Sequence, residues 1–130
     1  MDASKAIYEA RKKLVKKGVD DLKDTIPFEY VLTCPDESQW LKVVVKFKDP
    51  KKSTIYVTDF HDYLYTVYHT DPKMYVVDRL VPTEGVRLLE GCELVYGNEE
   101  EVKADLERFK ELAKEFLENL QEVMRTFKRA

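Results

Sequence analysis

Glycine is scarce in this chain, with four in 130 residues, and the scarcity removes most phosphate-cradling loops from consideration. No G-x-x-x-x-G-K-S/T, G-x-G-x-x-G, G-x-S-x-G or H-E-x-x-H pattern occurs, so no catalytic, cofactor or metal residue is assigned from motifs. There are only two cysteines, Cys34 and Cys92, far apart and without C-x-x-C spacing. That excludes a cysteine zinc site and reads as buried free thiols, with pairing between the two left open. No stretch approaches the roughly 18 consecutive apolar residues of a membrane span, and the start Met1-Asp2-Ala3-Ser4-Lys5 lacks the apolar core of a signal peptide. The expectation is a cytoplasmic protein. A positive excess is also missing: the net charge of −3 argues against a general nucleic-acid coat. Neither repeats nor linkers interrupt residues 1–130, which read as a single α+β domain.

What is present is charge, helix periodicity and strand alternation. Charged residues make up 36% of the chain, and with so little glycine the abundant Lys and Glu give a thermophile-like composition. The charge is uneven: residues 1–52 carry 12 basic against 9 acidic groups, and residues 53–130 carry 10 against 16. From Asn98 to Arg129 the apolar residues Val102, Leu106, Phe109, Ala113, Phe116, Leu120, Val123 and Phe127 recur in steps of four and three. This predicts one long amphipathic helix. Asn98 is placed to cap it, with Glu101 at the capping-box position and Lys128 and Arg129 suiting its far end. At the other end of the chain, Asp2 or Ser4 can cap a helix whose apolar residues are Ile7, Ala10, Leu14 and Val15, with Gly18 placed to end it.

Between the helices the pattern predicts five or six antiparallel strands. Phe28–Thr33 is followed by Trp40–Lys48, where Leu41, Val43, Val45 and Phe47 point one way and Lys42, Lys46 and Lys48 the other. Thr54–Phe60 and Tyr63–His69 fit a hairpin about His61 and Asp62. Met74–Val81 and Val86–Tyr96 follow, with Gly91 as a bulge. The expected fold is therefore an N-terminal helix, a curved antiparallel sheet and a long C-terminal helix packed on it, a helix-grip-like arrangement.

Three uses follow from that architecture. The long helix exceeds what a small sheet can cover, so the leading expectation is a non-catalytic interaction module that self-associates as a homodimer, or docks another protein, through Leu117, Val123, Met124 and Phe127. A pocket between sheet and helix, lined by Phe47, Val57, Phe109, Leu112, Phe116 and Leu120, would instead suit an apolar small molecule or lipid. A sheet face carrying Lys42, Lys46, Lys48, Tyr56 and Tyr65 would suit single-stranded RNA. Asp59, His61, Asp62, His69 and Asp71 cluster in sequence without the spacing of a defined metal site. No cofactor is expected.

Leu41–Lys48, Ile55–Asp59, Tyr68–Asp71, Glu101–Lys103 and Glu107–Phe109 together resemble the smaller Alu-RNA-binding subunit of the eukaryotic signal recognition particle. The resemblance covers under half the chain and implies RNA binding, with no site residue carried over.

Overall fold

The computed structural model describes residues 3–38 and 41–129. In chain order the elements are α1 (Ala3–Leu22), β1 (Phe28–Cys34), β2 (Lys42–Phe47), α2 (Ser53–Tyr68), β3 (Lys73–Val76), α3 (Pro82–Gly91), β4 (Glu93–Gly97) and α4 (Glu99–Arg129). Trp40, expected to open the second strand, lies outside the described residues, as does Asp2.

The sheet has four strands in the order β3-β2-β1-β4. β1 is antiparallel to both β2 and β4, whereas β2 and β3 run parallel. This corrects the expectation of five or six antiparallel strands. A parallel pair cannot be closed by a hairpin and needs a crossover, and α2 supplies it. Thr54–Phe60 and Tyr63–His69 are therefore one helix and not a hairpin. Their β-branched and aromatic residues favour strands intrinsically, but Phe60 and Leu64 stand four apart and are fully buried, with Val57 and Tyr68 beside them. Tertiary burial overrides propensity here. Asp49 opens the crossover by accepting the Lys51 N–H, and His69 closes it in the left-handed conformation at φ 52°. Ile55–Asp59 is thus helical and Tyr68–Asp71 forms the end of that helix and the loop after it, so of the strands behind the likeness to the signal recognition particle subunit only β2, within Leu41–Lys48, remains.

The expected strand Val86–Tyr96 is likewise split. Pro82 begins α3, Gly91 ends it, and β4 follows. Pro at the first turn and Gly at the end are the usual asymmetry of helix termini. Gly18, expected to terminate α1, sits inside that helix. A Cβ there would stand 2.5 Å from the Leu64 side chain, so the missing side chain lets α1 and α2 cross closely.

Helices cover both faces of the sheet. Val43, Val45 and Phe47 of β2 and Phe28 and Val31 of β1 pack with Val15 and Val19 of α1 and Phe60 and Leu64 of α2. On the other face Tyr30, Leu32 and Val44 pack with Leu88 and Leu89 of α3 and Val102 and Phe109 of α4. The residues expected to meet α4 therefore meet α1 and α2. A sheet covered on both sides shows near-continuous burial instead of alternation, as in β1, where every residue except Glu29 is buried.

Cys34 and Cys92 form a disulfide, with their Cα atoms 4.6 Å apart. This corrects the reading of free thiols. β1 pairs with β4 so that Leu32 faces Leu94 and Thr33 faces Glu93; continuing that register by one residue brings Cys34 opposite Cys92.

Candidate functional site

α4 is the element expected from the sequence, and its start is fixed as expected. The Asn98 side chain accepts the Glu100 N–H at 2.8 Å, and the Asn98 carbonyl accepts the Glu101 N–H at 3.2 Å. Three consecutive glutamates, Glu99 to Glu101, lie at the positive end of the helix dipole. Over 31 residues the helix is about 46 Å long.

Its first three turns are rooted in the fold. Val102 and Phe109 are buried, and the Phe109 ring lies over Gly85 of α3, where a Cβ would come within 2.6 Å of it. Between them, Asp105 is only 8% exposed. Its Oδ2 accepts hydrogen bonds from the Tyr30 hydroxyl at 2.7 Å and the Lys46 ammonium at 2.8 Å, with Arg108 at 3.5 Å from Oδ1. Burial pushes the Asp105 carboxyl up, but the bonds from Lys46 and Tyr30 and the charges of Lys46 and Arg108 outweigh it and hold the group below its ordinary value. The Tyr30 hydroxyl is pushed up, first by burial and then by donation to Asp105. This network went unnoticed in the sequence, although an acid on the apolar stripe between Val102 and Phe109 was the available signal.

Beyond Phe109 the same stripe faces outward. Leu112, Phe116, Leu117, Leu120, Val123, Met124 and Phe127 are all exposed, Phe116 to 56% and Phe127 to 77%. The four interface candidates Leu117, Val123, Met124 and Phe127 thus share one uncovered surface. The six pocket candidates do not converge. Phe47 and Val57 belong to the α1/α2 side of the sheet and Phe109 to the α3/α4 side, while Leu112, Phe116 and Leu120 project away from both.

The RNA-binding candidates are similarly divided. Lys42 and Lys46 lie with Val44 on the α3/α4 side of β2, Lys46 being held by Asp105 and Lys42 standing 3.8 Å from Asp36. Lys48 is exposed just past the strand. Tyr56 and Tyr65 are on α2, across the sheet; Tyr56 packs on Phe47 with ring centres 5.4 Å apart, and Tyr65 stacks on His61 at 6.2 Å. Two further tyrosines of α2, Tyr63 and Tyr68, both donate to Asp21 of α1, at 2.7 and 2.5 Å, and the second is raised to about 12 by that bond.

Lys42 pairs in register with Lys73 of β3, whose ammonium lies 5.5 Å above the Tyr75 ring. The open part of this sheet face is therefore cationic and aromatic. Among the expected metal-cluster residues, His61 Nε2 is 2.7 Å from Asp71 and its Nδ1 3.5 Å from Asp62. Among the described residues no group of three His, Cys, Asp or Glu side chains is placed to hold a metal ion. No helix among them is long and apolar enough to cross a membrane.

No protein-family model and no curated protein matches the sequence. Solved structures do resemble the fold. A re-refined complex of a tri-AMPylated HEPN toxin with MNT antitoxin from Shewanella oneidensis contains a chain matching at TM-score 0.69 and 11% identity, over 90% of this chain and 98% of that one. A toxin–antitoxin structure with AMP-PNP matches at 0.67 and 11%, over 87% and 98%. A MntA toxin–antitoxin variant, in which two aspartates two positions apart are replaced by glutamate, matches at 0.68 and 12%, over 88% and 98%. At these identities the likeness is one of fold. It nevertheless corrects the reading of the chain as a non-catalytic module that self-associates, together with its lipid-carrier and RNA-binding alternatives. The similar chains come from toxin–antitoxin structures, one holding a tri-AMPylated toxin and another AMP-PNP.

A nucleotide carrying a divalent cation asks for oxygen ligands, carboxylates above all. The four strands offer only Glu29 and Glu93, on different strands, and the β2–β3 face offers Lys42, Lys73 and Tyr75 instead. Asp36 and Asp105 stand beside that face but are paired with Lys42 and Lys46, and among the described residues no three such side chains gather into a metal-binding group. The fold resembles that of a chain in these toxin–antitoxin structures, and the exposed half of α4 is an uncovered apolar surface.

Proposed function

We propose that the chain is the enzyme-regulatory member of a toxin–antitoxin pair and holds its partner protein by the projecting half of α4. The observation that carries this reading is the uncovered stripe from Leu112 to Phe127 on a helix whose first half is firmly rooted. Large apolar side chains at helical spacing, left exposed together, mark a protein-docking surface. The fold likeness supports the class of partner, since this chain spans nearly the whole length of its structural neighbours.

The test is co-expression with the product of the adjacent gene. That product alone should arrest growth, and this chain should relieve the arrest and co-purify with it. A double Phe116→Asp, Leu120→Asp variant should lose both relief and co-purification while keeping its thermal transition. Relief that survives the double substitution would overturn the docking role of α4, and a harmless neighbouring product would overturn the pairing. A variant that dissolves a self-associated form without affecting relief would return α4 to a role between identical chains.

A further inference from the structure

β4 is the last strand of the sheet, bonded to β1 on one side only. Outside that ladder, no main-chain group of Glu93–Gly97 makes a hydrogen bond to the described residues. Its open edge is flanked by two grooves of unlike character. Toward α3 and α4 the groove has an apolar floor of Leu32, Leu89, Leu94, Val102 and Leu106 and a charged rim of Glu90, Glu99, Lys103 and Lys110. Toward α1 it is mainly basic, lined by Lys12, Lys13 and Lys16 with Glu9, beside Val95 and the edge of Leu94. Lys12 is engaged by Glu9 and Glu93, at 3.0 and 2.8 Å, whereas the exposed Lys13 and Lys16 make no ion pair with the described residues. Leu94, at 37% exposure, is an apolar side chain left on an edge strand.

We infer that this edge accepts one extended segment of a partner protein, a strand in which apolar and acidic residues alternate. Successive side chains of a strand point to opposite faces. A segment added beside β4 would therefore send every second residue into the apolar groove and the intervening ones toward Lys13 and Lys16. Main-chain bonds would supply affinity and the two grooves the choice of sequence, as in strand addition generally. The same lysines guard the edge against pairing with a second copy of β4, so charge selects for an acidic visitor. The surface is separate from the stripe on α4.

The probe is a fluorescent eight-residue peptide alternating Val and Glu, blocked at both ends. Two controls accompany it, one alternating Val and Lys and one with its four Val and four Glu in separate blocks. The alternating acidic peptide should bind best, its affinity should fall steeply with salt, and amide exchange in Leu94–Gly97 should slow on binding. The double Lys13→Glu, Lys16→Glu variant, and separately Leu94→Asp, should each weaken binding at least about tenfold, a change of about 1.4 kcal/mol. The Phe116→Asp, Leu120→Asp variant should bind the peptide unchanged. No slowing of exchange in β4, or equal binding of the block or lysine peptide, would overturn the inference and leave the assignment of α4 untouched.

Discussion

The two halves of α4 carry one uninterrupted hydrophobic pattern and have opposite fates. In the first half Val102 and Phe109 are buried against the sheet and α3; in the second, Phe116 and Phe127 stand in the open. Periodicity states which face of a helix is apolar. Whether the molecule owns a surface to cover that face depends on the breadth of the sheet, and a sheet of four short strands ends before the helix does.

The sharpest way to break the comparison is to remove a root residue. Phe109→Ala empties the space over Gly85 and should cost about 3–5 kcal/mol, read as a fall in the midpoint of urea unfolding; an unchanged midpoint would mean that the rooted half is no better held than the free one. Next comes the disulfide. It closes a segment of 58 residues and ties β1 to the strand from which α4 departs, so reduction should cost about 4 kcal/mol, seen by repeating the urea titration with dithiothreitol.

Asp105→Asn should cost about 2 kcal/mol by leaving Lys46 without its counter-charge, and it carries a pH signature. The Asp105 carboxyl is depressed in the folded protein, so its contribution is full above the unfolded value near ~4 and is lost as pH falls through the folded value. The stability gap between the native protein and the variant should therefore narrow on acidification below about pH 4. A constant gap would remove Asp105 from the network. The smallest effect belongs to the free half, where Phe116→Asp with Leu120→Asp should change stability by less than about 0.5 kcal/mol, as expected of uncovered positions. A loss of several kcal/mol would show that these side chains are held by the fold after all.

The parts legible in the sequence are those governed by local signals. The cap at Asn98, the run of α4 and the strands β1 and β2 all follow from residue chemistry within a few positions. The failures share one cause, dependence on partners distant in sequence. Residues 53–68 read as strands until the parallel pairing of β2 with β3 requires a crossover helix. Val43 and Val45 face α1 and α2 because those helices come to that side of the sheet, and no periodicity in β2 encodes which helix arrives. Cys34 and Cys92 meet through the register of β1 with a strand nearly sixty residues later. Of the candidate site, the four interface residues were legible as an apolar face; the Asp105 network, although marked by a misplaced acid, required knowing that Tyr30 and Lys46 would lie beneath it.

β1 acquires one neighbour at once and must wait for the other. β2 follows it directly, whereas β4 arrives only after two helices and another strand, and the buried Tyr30 hydroxyl waits longer still, for Asp105. During synthesis, which exposes the amino-terminal part first, the half-made sheet holds a hydroxyl without its acceptor and a hydrophobic side with no lid. Ribosome-bound chains that stop short of Asp105 should remain protease-sensitive along β1, and those extended past Phe109 should become resistant in a single step. The late strand thus couples closure of the sheet to the building of α4.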